Sequence, residues 1–153
     1  MHRLEREQWI ERPVDEVFAF FADAANLQRI TPPWLGFRIL TPLPIEMKNG
    51  TLIDYSIKLA GVPMRWCSEI QSWNPPYAFI DIQRSGPYRR WVHLHSFERR
   101  DGGTLMTDIV DYRLPLGPLG KLVHGLSVRR TLSAIFDYRN RVVGETFTPH
   151  FSR

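Results

Sequence analysis

The sequence predicts an α+β fold: an antiparallel sheet of about seven strands gripping one long C-terminal helix, with two short helices after the first strand. Three observations carry it. About six stretches after Gly36 read as strands, several with clear alternation of period two, and short turn signals join them. Pro13 opens a segment in which Val14, Val17, Phe18 and Phe21 recur at helical spacing. The stretch from about Lys121 to Phe147 has no interior proline and carries Leu122, Leu126, Leu132, Ile135, Phe136, Val142 and Val143 at helical spacing. Short turns make a meander, and an amphipathic helix following a meander buries its stripe against the sheet.

Taken in order, "HRLEREQWIER" alternates Leu4, Arg6, Gln8 and Ile10 against Arg3, Glu5, Glu7 and Trp9, a strand with two mixed faces. "PVDEVFAFFADAANL" is the first helix, with Asp15 and Glu16 at its positive end. "AANLQRIT" is a second, short one that stops before Pro32-Pro33. "GFRILT" and "GTLIDYSIKL" follow as strands, with Asn49-Gly50 read as a tight turn between them. Then come "VPMRWCSEIQSW", "YAFIDIQR", "RRWVHLHSFERR" and "GTLMTDIVDYRL", separated by Gly61, "NPP", "SGP" and Asp101-Gly102. Residues 1–153 are expected to form one domain, since 153 residues suffice for a single core.

Composition narrows the functional class. The chain is 43% hydrophobic and 24% charged, which excludes wholesale disorder. One cysteine, Cys67, excludes an internal disulfide or a cysteine-rich zinc site and fits a reducing compartment. "HRLEREQWIER" has no apolar run of signal-peptide type, and no stretch is long enough to span a bilayer. The expectation is a soluble, cytoplasmic protein without stable membrane insertion. The net charge of +4 raises nucleic acid as a partner, but the basic residues are dispersed among acids except near Arg129, Arg130, Arg139 and Arg141, and no nucleic-acid motif accompanies them. These arginines read as a solvated helix face, with Arg129 and Arg139 reaching out to solvent at the border of the apolar stripe.

The histidines are the chemical signal. A two-residue turn at Asp101-Gly102 sets Arg100 opposite Gly103, and counting back pairs Phe97 with Met106, His95 with Asp108, His93 with Val110 and Trp91 with Tyr112 on one face. The opposite face, Val92, Leu94, Leu105 and Ile109, is also apolar, but the aromatic face buries more and is taken as interior. His95 and Asp108 then become partners, and the carboxylate is expected to raise the imidazole pKa. Tyr55, Trp66, Ile70 and Phe79, with Asp81 and Gln83, supply neighbouring inner faces. So many polar groups on an aromatic wall point to a ligand pocket rather than a dry core. His93, His95 and Asp108 also match a two-histidine, one-carboxylate metal pattern, but no fourth group supports it, and neither metal nor cofactor is expected.

"ITPPWLGFRI", "GPYRRWVHLHSFE" and "GGTLMTDIVDYRLPLGPLG" resemble the START-like, helix-grip (SRPBCC) superfamily, which includes polyketide cyclases and plant pathogenesis-related proteins. They resemble in particular a bacterial ligand-binding branch with some relatives fused to sugar-nucleotide epimerase-like domains. The resemblance implies a deep cavity between sheet and C-terminal helix for an apolar small molecule. Combined with the residues, it gives a binding protein for a lipid, isoprenoid or polyketide-like ligand, with Tyr55, Trp66, Phe79, Asp81, Gln83, Trp91, His93, His95, Asp108 and Tyr112 around it. One alternative is a cyclase/dehydratase in which His95, oriented by Asp108, is the general base. A second is an interaction module for an epimerase-like partner. The "TPPWLGF" and "PLGPLG" segments are expected near the cavity entrance.

Overall fold

The computed structural model describes residues 1–59, 61–115 and 118–148, without the side chains of 118–126. "PLGPLG", Leu122 and Leu126 therefore lie largely outside the described residues. The elements are β1 (His2–Ile10), α1 (Val14–Ala22), α2 (Asn26–Arg29), a 3₁₀ turn (Pro33–Leu35), β2 (Arg38–Ile39), β3 (Leu52–Leu59), β4 (Val62–Asn74), β5 (Ala78–Ser85), β6 (Arg90–Arg100), β7 (Gly103–Arg113) and α3 (Pro118–Phe147). Seven strands form one antiparallel sheet in the order β1-β7-β6-β5-β4-β3-β2. This is the helix-grip arrangement expected from the sequence.

The β6–β7 hairpin has the register derived from its turn. Asp101 and Gly102 both have positive φ, 51° and 77°, as a type I′ turn requires. Trp91 faces Tyr112, His93 faces Val110, His95 faces Asp108 and Phe97 faces Met106. All eight are buried, whereas Val92, Leu94, Leu105 and Ile109 are half-buried, so the aromatic face is the interior one. The reason β1 looked mixed is also visible. Gln8 donates from Nε2 to the Asn140 carbonyl of α3 at 2.8 Å, and Arg6 reaches Ser133 and Asp137 on the same helix.

Asn49-Gly50 does not join β2 to β3 as a hairpin. β2 has only two residues, and Asn49-Gly50 ends the loop that precedes β3, docking it on β4. The Gly50 amide donates to the Ile70 carbonyl, and Asn49 Oδ1 accepts from the Trp73 amide. The "TPPWLGF" loop contains the short 3₁₀ turn, closed by Gly36 at φ 58°.

Two apolar clusters form on the inner face. α1 seals one with Val14, Val17, Phe18 and Phe21 against Phe79, Phe97 and Met106, and Val143 and Phe147 of α3 join it. The other packs Leu132 and Phe136 of α3 against Trp66, Trp91 and Val110. Each fully buried large side chain contributes roughly 1.5–3 kcal/mol relative to an exposed one. Along β6 the order Trp91, His93, His95, Phe97 therefore runs from one cluster to the other, with the histidines at the boundary.

Candidate functional site

A belt of five ionisable side chains separates the clusters. His93 and His95 come from β6, Asp81 from β5, Asp108 from β7, and Arg139 from α3. Asp81 is directly opposite His93 in the β5–β6 register, yet its Oδ2 lies 2.6 Å from His95 Nε2 and 3.4 Å from His93 Nδ1. His93 Nε2 lies 2.7 Å from Asp108 Oδ1. Arg139 Nη2 donates to Asp108 Oδ1 and to His95 Nδ1, both at 3.2 Å. The rings form a stack: Phe79 on His95 at 4.2 Å between centroids, and His95 on His93 at 3.6 Å. The guanidinium is flanked by Phe21 at 5.0 Å and Phe136 at 5.8 Å.

The close carboxylate partners thus cross the register. His95 and Asp108 are opposed across the strands, but the shortest hydrogen bond of Asp108 is to His93, and that of His95 is to Asp81. A ring nitrogen accepting from Arg139 has no proton, so the partners assign His95 the neutral Nε2–H tautomer. Burial lowers the His95 pKa to about 4, helped by His93 and Arg139 and opposed by the Asp81 hydrogen bond. The expected rise does not occur, because desolvation outweighs the carboxylate. Burial alone would raise both aspartates. The His95 hydrogen bond and nearby positive charge hold Asp81 below its ordinary value, while Arg139, aided by the hydrogen bond from His93, holds Asp108 well below the carboxylate range. Arg139 does not reach solvent as expected. It is 6% exposed, because Asp108 and two aromatic rings give its head an interior environment. Arg129 is exposed.

Asp81, His93 and His95 place ligand-type atoms within 4.8 Å of one another. The carboxylate in that set is Asp81, not Asp108. His95 carries its proton on Nε2, the nitrogen facing Asp81. Reversing the tautomer would set an N–H against the donor Arg139. The belt suits hydrogen bonding better than metal ligation.

A cavity of about 170 Å³ lies between the sheet and α3. Tyr55, Trp66, Phe79 and Trp91 line it, with Asp81, His93, His95 and Arg139 at the polar part. Tyr55 is raised well above the usual phenol range by burial and the Asp81 charge, and its hydroxyl lies 3.4 Å from Ser68 Oγ. Residues 10–136 match the family model described as polyketide cyclase / dehydrase and lipid transport. The chain belongs to that family. Arg139 lies outside the matched segment. None of the curated proteins matches the chain. Among solved structures, a Thermus thermophilus protein is 15% identical with TM-score 0.72, covering 96% of this chain and all of its own. Ginseng major latex-like protein 151 from Panax ginseng is 15% identical with TM-score 0.67, covering 97% of this chain and 98% of its own. A nucleoside-diphosphate sugar epimerase from Corynebacterium glutamicum is 25% identical with TM-score 0.66; the match covers 93% of this chain and 28% of the epimerase. These structures share the helix-grip fold of this chain, and no helix among the described residues is long and apolar enough to cross a membrane.

Three residues expected at the pocket stand behind or beside it. Asp108 is under the histidines, 1% exposed. Gln83 donates to the Tyr88 carbonyl at 2.6 Å and accepts from the Tyr88 amide at 3.0 Å, fixing the β5–β6 turn. Tyr112 stacks on His2 and packs against Tyr88 and Trp91. In their place the cavity takes Leu27, Ile30, Leu35, Phe37 and Met47 from the segment between α1 and β3, and Ile135 and Phe136 from α3. Alternation in strands could not disclose the loop residues. Arg139 did leave a signal, falling on the stripe of Leu132, Phe136 and Val143, where a solvated side chain has no place.

Proposed function

We propose that the chain binds an apolar, ring-bearing small molecule between the sheet and α3, as a carrier or sensor rather than a catalyst. One observation carries this reading: aromatic walls enclose a cavity of about 170 Å³ with ionisable groups gathered at one part of its lining. An apolar cavity of about 150 Å³ accepts a benzene ring, so one ring or two small fused rings match this space. Family membership and the plant latex-like neighbour agree with a ligand-holding scaffold. In this reading Trp66, Trp91 and Phe79 supply contact area and the belt orients polar substituents. General-base action by His95 fits the geometry poorly. Both ring nitrogens are engaged, and a pKa of about 4 makes a weak base at neutral pH.

Native mass spectrometry of the purified protein, followed by denaturing extraction, tests the proposal. A released apolar ring compound is the expected result. Protein that emerges empty and takes up no apolar ring probe contradicts it. A second reading has its own observation, the likeness to part of the Corynebacterium epimerase. In that case the domain serves an epimerase-like partner, and co-purification of such an enzyme from the native source is the expected result.

A further inference from the structure

The arrangement around Arg139 says more about the ligand than the apolar walls do. Its Nη2 donates to His95 and Asp108, whereas Nε is buried without a hydrogen-bond partner. Trp66 Nε1, in another wall-forming side chain, is likewise a buried donor without a partner. Both residues are 6% exposed, and an unmatched buried donor costs free energy until an acceptor arrives. A hydrocarbon cannot supply that acceptor; an oxygen can. Charge selects the kind of oxygen. Asp81 and Asp108 already stand on this belt, and Asp108 Oδ1 lies 3.2 Å from Arg139 Nη2, so the guanidinium already has a carboxylate partner. A ligand carboxylate would bring a third anion into the same desolvated space.

Resting on the binding reading above, we infer that the cavity selects a neutral ring compound bearing a ketone or similar uncharged oxygen acceptor, with Arg139 as the specificity-determining residue. The acceptor lies at the guanidinium edge that carries Nε, after a small adjustment of the side chain, and the ring lies between Trp66 and Phe136. Ligand acids are rejected by Asp81 and Asp108. Ligand amines meet donors where they need acceptors on that edge.

Four bicyclic probes of one shape test this by calorimetric titration at pH 7: indane, 1-indanone, indane-1-carboxylate and protonated 1-aminoindane. A hydrogen bond to a charged donor makes 1-indanone bind roughly ten- to a hundredfold tighter than indane, with the acid weakest. Arg139→Lys keeps the positive charge but loses the Nε–H. The ratio of 1-indanone to indane affinity, measured within the variant, should then shrink to within about threefold. Equal binding of indane and 1-indanone by the unaltered protein overturns the inference while leaving the binding reading intact. So does tightest binding of the acid or the amine. Failure of all four, indane included, overturns the binding reading and this inference with it.

Discussion

Replacing His95 with glutamine should flatten the acid side of the stability curve. The side-chain amide retains one donor for Asp81 and one acceptor for Arg139 but cannot take up a proton. In the wild type the His95 pKa drops from 6.5 to about 4 on folding, so the unfolded chain binds the proton more readily. Stability from this group is therefore level above pH 6.5, falls as pH drops below it, and levels off again below about pH 4. The full difference corresponds to about 3 kcal/mol, of which about 2 kcal/mol is lost between pH 7 and pH 5. That window stays above the ordinary carboxylate value of 3.8, so Asp81 and Asp108 do not contribute to it. Urea unfolding at pH 7 and pH 5 gives four free energies. The wild type should lose about 2 kcal/mol more than His95→Gln on acidification. Equal losses in the two proteins would show that His95 does not stay neutral in the fold, and would refute the tautomer assignment.

Other perturbations follow from the same contacts. Arg139→Leu strands the Asp108 carboxylate and should cost about 3–5 kcal/mol in chemical unfolding, with part of it recovered in Arg139→Leu/Asp108→Leu. Gly103→Ala would set a Cβ 2.5 Å from the Ile10 carbonyl oxygen and 2.8 Å from the Trp9 ring. A loss of about 1–3 kcal/mol in thermal or urea melts is the expected result. Phe97→Ala, which removes a ring packed on Phe18, Phe21 and Phe79, should cost about 3–5 kcal/mol by the same measurement.

Much of the scaffold was legible because strand alternation and turn chemistry are local rules. Asp101-Gly102 favours a two-residue type I′ turn over a three-residue loop, and that turn set all the β6–β7 partners. The electrostatics were less legible. Register places backbones opposite one another, but histidine side chains lean along the strand, so His93 rather than His95 takes the shortest bond to Asp108. The His95 pKa depended on total burial and on a cation from α3, neither of which a pairwise count across two strands contains. Residues of the α1–β3 segment, such as Phe37 and Met47, reach the cavity from irregular backbone with no period to expose them. Arg139 was legible in position and misread in direction. Its place on the buried stripe outweighed the usual tendency of a long cationic side chain to seek water.

Methyl-resolved NMR during titration with indane reports both whether a ring compound binds and where it sits. Saturable shifts should concentrate on Ile53, Ile57, Ile70, Leu132 and Ile135, which line the cavity, and should spare exposed Leu52 and Val62 on the outer sheet. No saturable shift at those five, or shifts confined to the exposed methyls, would rule out a ligand site between the sheet and α3.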